Sequence, residues 1–325
     1  MRDLGVEQMK TLFEQAIGTA HGKIILMGEH AVVYNEPAIA LPFLATPVEV
    51  TIEPTDRESR LISSYYQGAV KDVPEALKNI KKLIASICED LDQPVDFLNI
   101  TISSLIPPER GMGSSAAVAS ALVRALFTYF SEPLDYETLL YYVDISEKIA
   151  HGNPSGLDAR VTSSLSPVYY KKNSAFDPIP LRLSGYIIAA DTGMKGQTKQ
   201  AVEGVANQMK ASYQTTKRVI EALGELTEQA KKAIEENNSE QLGQLMSTAH
   251  SHLKKIQVSN EALDHLVEVA LEYKALGAKL TGGGRGGCMI ALAKTAKQAK
   301  RIAHKLMEHG AVETWIHALG VENND

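Results

Sequence analysis

Cysteine is scarce in this sequence. The 325 residues hold two, Cys88 and Cys288, too few for a disulfide framework, and each is expected to be a small buried apolar residue. Long apolar runs are missing too. No uninterrupted stretch reaches the length needed to span a bilayer, so no transmembrane helix is expected. The opening "MRDLGVEQMKTLFEQA" mixes acidic and basic residues without a continuous apolar core, which excludes a signal peptide and suggests an amphipathic helical lead-in. There is no basic excess: 33 Lys and Arg face 39 Asp and Glu, a net charge of −6, which argues against a general nucleic-acid binder. An anionic substrate remains compatible with that balance if positive charge is local. Internal repeats, low-complexity tracts and long linkers are absent, and so is the Gly-Lys-Ser/Thr tripeptide of a Walker A loop. The expectation is a soluble cytoplasmic protein with neither membrane nor nucleic-acid partners.

What is present is ordinary in amount: 44% hydrophobic and 22% charged residues, as in globular proteins, over a length that suits two domains or one large α/β unit. "GKIILMGEHAVVYNEPAIALPF" has two apolar runs split by Gly28-Glu29-His30, which predicts strand, loop, strand. "PVEVTIEP" and "FLNITISSLIP" alternate as half-buried strands do. A largely buried helix is expected over 114–130 and another over 135–150, ended by Gly152. Asn153 and Pro154 are placed to start a third. Residues 199–256 read as helical with breaks near Gly224 and Asn237-Asn238. Then follow a helix over 261–276, a strand, a glycine-rich loop, a strand over 288–293, a helix over 295–309 and a strand over 312–319. The composition shifts around 178–184, so the domains are set at 1–181 and 182–325.

Glycine carries the chemistry. In "PPERGMGSSAAVASALVRAL", Gly111-x-Gly113-x-x-Ala116 fits a loose dinucleotide fingerprint, and the helix that follows offers N–H groups to an anion. A dinucleotide fold, however, places its first glycine directly after the first strand, whereas here four residues intervene a third of the way along the chain. "KLTGGGRGGC" has five glycines among six residues from Gly282 to Gly287. Such a run suggests close approach of backbone to a ligand or to the other glycine loop. "AHGKIILMGEHAVVYN" sets Lys23 at the mouth of a strand with Glu29 and His30 in the next loop.

These three motifs, in this order, resemble the GHMP kinases, small-molecule kinases named for galactose, homoserine, mevalonate and phosphomevalonate. "GKIILMGEHAVVY" and "EKIAHGNPSGLD" are most similar to the members that act on mevalonate. The resemblance implies a two-domain α+β GHMP kinase fold, with an N-terminal α/β domain (ribosomal protein S5 domain 2-like) and a C-terminal ferredoxin-like α+β domain. It implies ATP-dependent phosphorylation of the 5-hydroxyl of mevalonate, with Mg²⁺. On the same ground Pro107, Glu109, Arg110, Gly111, Met112, Gly113, Ser114 and Ser115 are expected to cradle ATP, and Ser115 and Glu147 to reach the metal. Asp158 is expected to receive the hydroxyl proton beside Lys23, and Lys23, Glu29, His30, Thr192 and Thr198 to line the substrate, with His30 as a donor. Glu109-Arg110 and Arg285 depart from the usual family wording, the arginines adding positive charge beside phosphates. A homodimer is one assembly the resemblance allows. A sister kinase acting on phosphomevalonate or homoserine, a non-catalytic ligand-binding paralogue and, third, a dinucleotide oxidoreductase stay open at this point.

Overall fold

Runs of small residues decide how this chain packs, because they let helices and strands approach on several sides. The computed structural model describes residues 15–152, 156–172, 176–180 and 183–320. The first strands are β1 (Ala16–Met27), β2 (Ala38–Pro54), β3 (Arg60–Ile62) and β4 (Gln67–Ala69), followed by α1 (Lys78–Asp90) and β5 (Leu98–Ser104). Three helices come next, α2 (Ser114–Tyr129), α3 (Tyr136–His151) and α4 (Leu157–Thr162), then β6 (Val168–Tyr170), β7 (Asp177–Pro178) and β8 (Gly185–Asp191). A helical run of α5 (Thr198–Ala211), α6 (Tyr213–Glu235), α7 (Ser239–Lys255) and α8 (Glu261–Glu272) leads to β9 (Gly277–Leu280) and β10 (Cys288–Ala293). Helix α9 (Ala296–Glu308) and β11 (Glu313–Leu319) close the described chain.

By packing, the chain forms two units of discontinuous segments. One takes residues up to Gly22, Thr46–Ile106 and Gly113–Ser163; the other takes Lys23–Ala45, Pro107–Met112 and everything from Ser164. A single cut at 181/182 does not reproduce this division, because strands β1 and β2 each contribute to both units. Arg182 itself, like residues 1–14 of the expected lead-in and the expected cap Asn153-Pro154, lies outside the described residues.

In the first unit, the C-terminal part of β2 pairs antiparallel with β5, which pairs parallel with β3. Helix α2 is rich in alanine, with Ala116, Ala117, Ala119, Ala121 and Ala125 all buried, so α1, α3 and α4 can all pack against it. Strand β1 reaches it as well: a Cβ on Gly18 would stand 2.1 Å from Ala121 O. Helix α3 starts as expected, with Asp135 accepting from the Thr138 N–H at 2.7 Å, a capping bond that satisfies an otherwise orphaned donor.

In the second unit, four antiparallel strands run in the order β11-β8-β10-β9. Numbered within the unit this is 4-1-3-2, with helices between the first and second and between the third and fourth strands, a ferredoxin-like arrangement. Every residue of β10 is buried, and helices α7, α8 and α9 pack on this sheet. The helical run differs from the sequence expectation at one point. Its first break falls at Ser212, and Gly224 sits inside α6. Glycine there serves packing: a Cβ would lie 2.3 Å from a Glu36 carboxylate oxygen. The break at Asn237-Asn238 is real, and Asn238 caps α7 by accepting from the Gln241 N–H at 3.0 Å.

Candidate active site

In the first unit, chain direction is set by glycine at the start of α2. Gly113 precedes it at φ 72°, provides no side chain to cap the helix, and no acidic residue occupies the first turn. Such an end, with outward N–H groups and the positive pole of the helix dipole, suits an anion. Ser115 lies in that turn, and its Oγ is buried without a hydrogen-bond partner among the described residues. A buried hydroxyl left this way is uncommon in folded proteins and calls for a ligand or water. Glu147, on α3, is buried at 4% exposure, with His151 Nε2 4.0 Å away one turn further on. Asp158 occupies the first turn of α4, where a carboxylate is favoured by the dipole. These three residues thus stand on helices that pack on one another.

Among the described residues, no cluster of three or more His, Cys, Asp or Glu could hold a metal by itself. A hard divalent ion here would therefore rely on a hydroxyl, a carboxylate and oxygens of water or phosphate. The orphaned Ser115 hydroxyl and buried Glu147 carboxylate fit Mg²⁺, which keeps several non-protein ligands.

In the second unit the C-terminal glycine loop is the hub. Gly111 and Gly282 meet backbone to backbone: a Cβ on Gly282 would stand 3.2 Å from both Cα and O of Gly111. A Cβ on Gly287 would come 3.0 Å from Arg110 O, one on Gly284 2.0 Å from Val258 O, and one on Gly283 2.0 Å from Thr198 Oγ1. The glycine run is thus explained by close packing of this loop on three stretches of chain, at Arg110-Gly111, Thr198 and Val258. Lys23, expected at the mouth of a strand, lies inside β1, and its backbone N–H donates to Met112 O at 2.9 Å.

Three of the expected substrate-side residues, His30, Thr192 and Thr198, are brought to the same loop. The His30 ring Nε2 lies 2.9 Å from Gly283 O; a carbonyl only accepts, so Nε2 carries the proton. Burial holds the imidazole below its ordinary value, so at neutral pH Nδ1 is an acceptor. His30 is therefore able to receive a hydroxyl proton in a hydrogen bond, whereas the sequence reading makes it a donor. It sits at φ 60°, a conformation costly for a side-chain-bearing residue and typical of functional loops. Thr192 Oγ1 donates to Gly287 O at 2.7 Å and receives the Met194 N–H at 3.3 Å, which makes it a fastener of the turn. Thr198 begins α5, exposed beside Gly283.

Three charged residues behave differently from the sequence expectation. Arg110 Nε donates to both Asp191 oxygens at 2.7 and 2.9 Å, and its other nitrogens donate to Pro108 O and Gly193 O. Its charge is answered by Asp191, so Arg110 shapes the loop. Glu109 pairs with Lys195. Arg285 donates to Gln257 O and Gln200 O. Sequence reasoning also missed Lys279, whose buried ammonium pairs with Glu29 Oε1. Burial pushes the Glu29 carboxyl above the usual carboxylate range and the Lys279 ammonium below its own, each opposed by the other. A lysine flanked by Ala278 and Leu280 in a buried strand is the signal that a partner carboxylate had to exist.

With this geometry in view, comparison with known proteins is decisive. Family models match twice: GHMP kinases N terminal domain over residues 77–164 and GHMP kinases C terminal over 230–312. The mevalonate kinase of Pyrococcus horikoshii is 33% identical over 316 residues, covering 91% of this chain and 93% of its own.

The chain belongs to the GHMP kinase family.

Two solved members extend the likeness to three dimensions. Mevalonate kinase from methicillin-resistant Staphylococcus aureus is 35% identical with a TM-score of 0.74, covering 95% of this chain and all of that one. L. major mevalonate kinase in complex with R-mevalonate is 27% identical with a TM-score of 0.83, over 95% and 97%. The mixed α+β content and the ferredoxin-like sheet are those of the family fold. No helix among the described residues is long and apolar enough to cross a membrane.

Proposed function

We propose that this chain is a cytoplasmic enzyme that transfers the γ-phosphoryl group of ATP to the 5-hydroxyl of mevalonate, giving 5-phosphomevalonate and ADP in isoprenoid biosynthesis. The observation that carries phosphoryl transfer is the uncapped, acid-free start of α2 with the unpartnered Ser115 hydroxyl in its first turn. The choice of mevalonate is supported by the identity to mevalonate kinases over nearly the whole chain. The family-model matches lie on either side of residue 182, which supports 1–181 and 182–325 as the sequence-level domains.

In this reading Asp158 accepts the proton of the 5-hydroxyl. The freed oxygen pair bonds to the γ-phosphorus as the bond to the β,γ-bridging oxygen breaks, leaving ADP. Lys23 supplies positive charge where the alkoxide develops, a contribution strongest away from water. Backbone N–H groups at the start of α2 and the loop from Pro107 to Ser114 hold the phosphates, and His30 accepts from a substrate hydroxyl. Ser115 and Glu147 would hold Mg²⁺. That ion, when bound, neutralises charge on the phosphate oxygens.

The test is a steady-state panel of mevalonate, phosphomevalonate, homoserine and galactose with ATP, the product read by phosphorus NMR. Mevalonate is expected to give by far the highest kcat/KM, because a site built for particular polar groups leaves some unpaired with the wrong substrate. A higher kcat/KM for another alcohol would overturn the substrate assignment.

A further inference from the structure

Residues 191–197, at the end of β8 and just after it, are bonded to both glycine loops. On one side the Thr192 N–H donates to Gly287 O at 3.1 Å, the Gly287 N–H to Met194 O at 2.7 Å, and the Gln197 N–H to Gly284 O at 3.1 Å. On the other side the same stretch grips the loop over 107–112. The Gly196 N–H donates to Glu109 O at 2.8 Å, and Lys195 pairs with the Glu109 carboxylate. Asp191 and Gly193 O receive the Arg110 guanidinium. Such a grip answers a need of the gripped loop. Glu109 lies at φ 56° and Gly111 at φ 78°, and a left-handed residue with a side chain persists only where its surroundings over-determine it.

Asp191 is a firm anchor for this purpose. It is the last residue of β8, set between Cys288 of β10 and Glu313 of β11, and its carbonyl accepts from the Val312 N–H at 2.9 Å. Its Oδ1 also receives the Gly193 N–H at 2.9 Å. Arg110 Nε donates to both Asp191 oxygens, while the two Nη atoms donate to Pro108 O at 3.2 Å and Gly193 O at 3.1 Å. A guanidinium is a rigid fork, so one carboxylate and two carbonyls fix where it points. The side chains of the pair are only 13% and 5% exposed, and a charge-assisted bond with little water around it is a strong one. The Glu109–Lys195 pair is more than half exposed on both sides and contributes little by comparison.

We propose that Asp191 and Arg110 are positioning residues for ATP. Their clasp fixes the loop over 107–112 in the shape that receives phosphates, and the guanidinium charge is answered by Asp191 instead of by the nucleotide. The inference rests on the reading, given above, that this loop holds the triphosphate. It differs from the expectation that Arg110 brings positive charge to the phosphates. The two roles make opposite predictions when Asp191 is changed.

The experiment measures the Kd of Mg·ATP by titration calorimetry, each protein being held below its melting temperature. Wild type is compared with Asp191→Asn, Arg110→Gln, the double variant Arg110→Gln/Asp191→Asn, and Arg110→Lys. Asp191→Asn keeps the shape but sets an amide NH₂ where an accepting oxygen stands. Each of the first two variants is expected to weaken binding about tenfold, and the double variant no more than either, because all three break one clasp. Losses that multiply in the double variant would mean separate roles and overturn the proposal. Were Arg110 a direct phosphate ligand, Asp191→Asn would free its guanidinium, and affinity would hold or rise; that result also overturns it. Arg110→Lys keeps the charge without the fork and is expected to bind as weakly as Arg110→Gln. Wild-type affinity in Arg110→Lys would overturn the clasp, and this variant decides the matter if Asp191→Asn fails to fold. A purely structural pair lowers melting temperature and leaves Kd unchanged in the folded variants, which again removes the proposal. If wild type itself does not bind Mg·ATP, the nucleotide reading of the loop falls and the clasp's role with it. Binding by wild type with unaffected variants removes the clasp alone.

Discussion

The two glycine loops are alike in composition and opposite in use. The loop over 109–113 ends at an uncapped helix with an unpartnered hydroxyl in its first turn. The loop over 282–287 uses its glycines to admit neighbouring backbone, including that of Arg110 and Gly111. One loop leaves polar groups open and the other fills its space with protein. A count of glycines therefore does not identify a ligand site; what stands where the missing Cβ would be does. The contrast has a consequence: a change at Ser115, on the open side, alters rates and spares melting temperature, and changes on the packed side do the reverse.

The largest expected effect is on turnover. Asp158→Asn keeps the size of the side chain but removes the proton acceptor, and kcat should drop by about 10²–10⁴-fold with ATP affinity nearly unchanged. A folded variant with near wild-type turnover removes Asp158 from the mechanism. Next comes Gly284→Ala on the packed side. Its Cβ would stand 2.0 Å from Val258 O, at φ 76°, and a loss of about 3 kcal/mol in unfolding free energy is expected. Gly111→Ala has a closest neighbour at 3.4 Å and should lose clearly less in the same denaturant titration. Equal losses would erase the contrast.

Acid sensitivity comes third and belongs to the packed side. His250 is held at about 4 when folded against an ordinary 6.5, so the unfolded chain binds more protons between those values. Stability on this account is full above about pH 7, falls as pH drops through 6.5 and levels off below 4, with on the order of 2 kcal/mol lost by about pH 5. A His250→Asn variant should show a shallower acid limb in urea melts at several pH values. The smallest effect is expected for Ser115→Ala. Its hydroxyl has no partner among the described residues, so stability should hold or rise slightly. KM for Mg·ATP should rise roughly tenfold, equivalent to about 1.4 kcal/mol. A lowered melting temperature with unchanged KM would place Ser115 on the packed side instead.

Much of the architecture was legible because it is local. The buried helix from Ser114, the helix over 135–150 and the strand over 288–293 follow from periodicity and capping chemistry within a few residues. Gly224 misled because helix propensity is a local prior and Glu36, far away in sequence, decided the matter. The short strands β3 and β4 are too brief to show a period, whereas α1 carries a clear amphipathic pattern that the sequence expectation omits. The candidate site was legible as motifs and illegible as partnerships. Pairing Lys279 with Glu29 joins positions 250 residues apart, and pairing Arg110 with Asp191 joins positions 81 apart. No window on the sequence contains both ends of either bond, so the residues could be named but not what each one holds.

The dependence of the loop over 107–112 on distant chain has a meaning for synthesis. A ribosome releases this segment well before Asp191, Gly193, Gly282 and Gly287, the residues that clasp or abut it. The first unit can close once Ser163 has emerged, since domains fold as they appear. The loop over 107–112 must wait for nearly the whole polypeptide, so a nascent or prematurely terminated chain would be a folded body in which this loop has not yet found its partners.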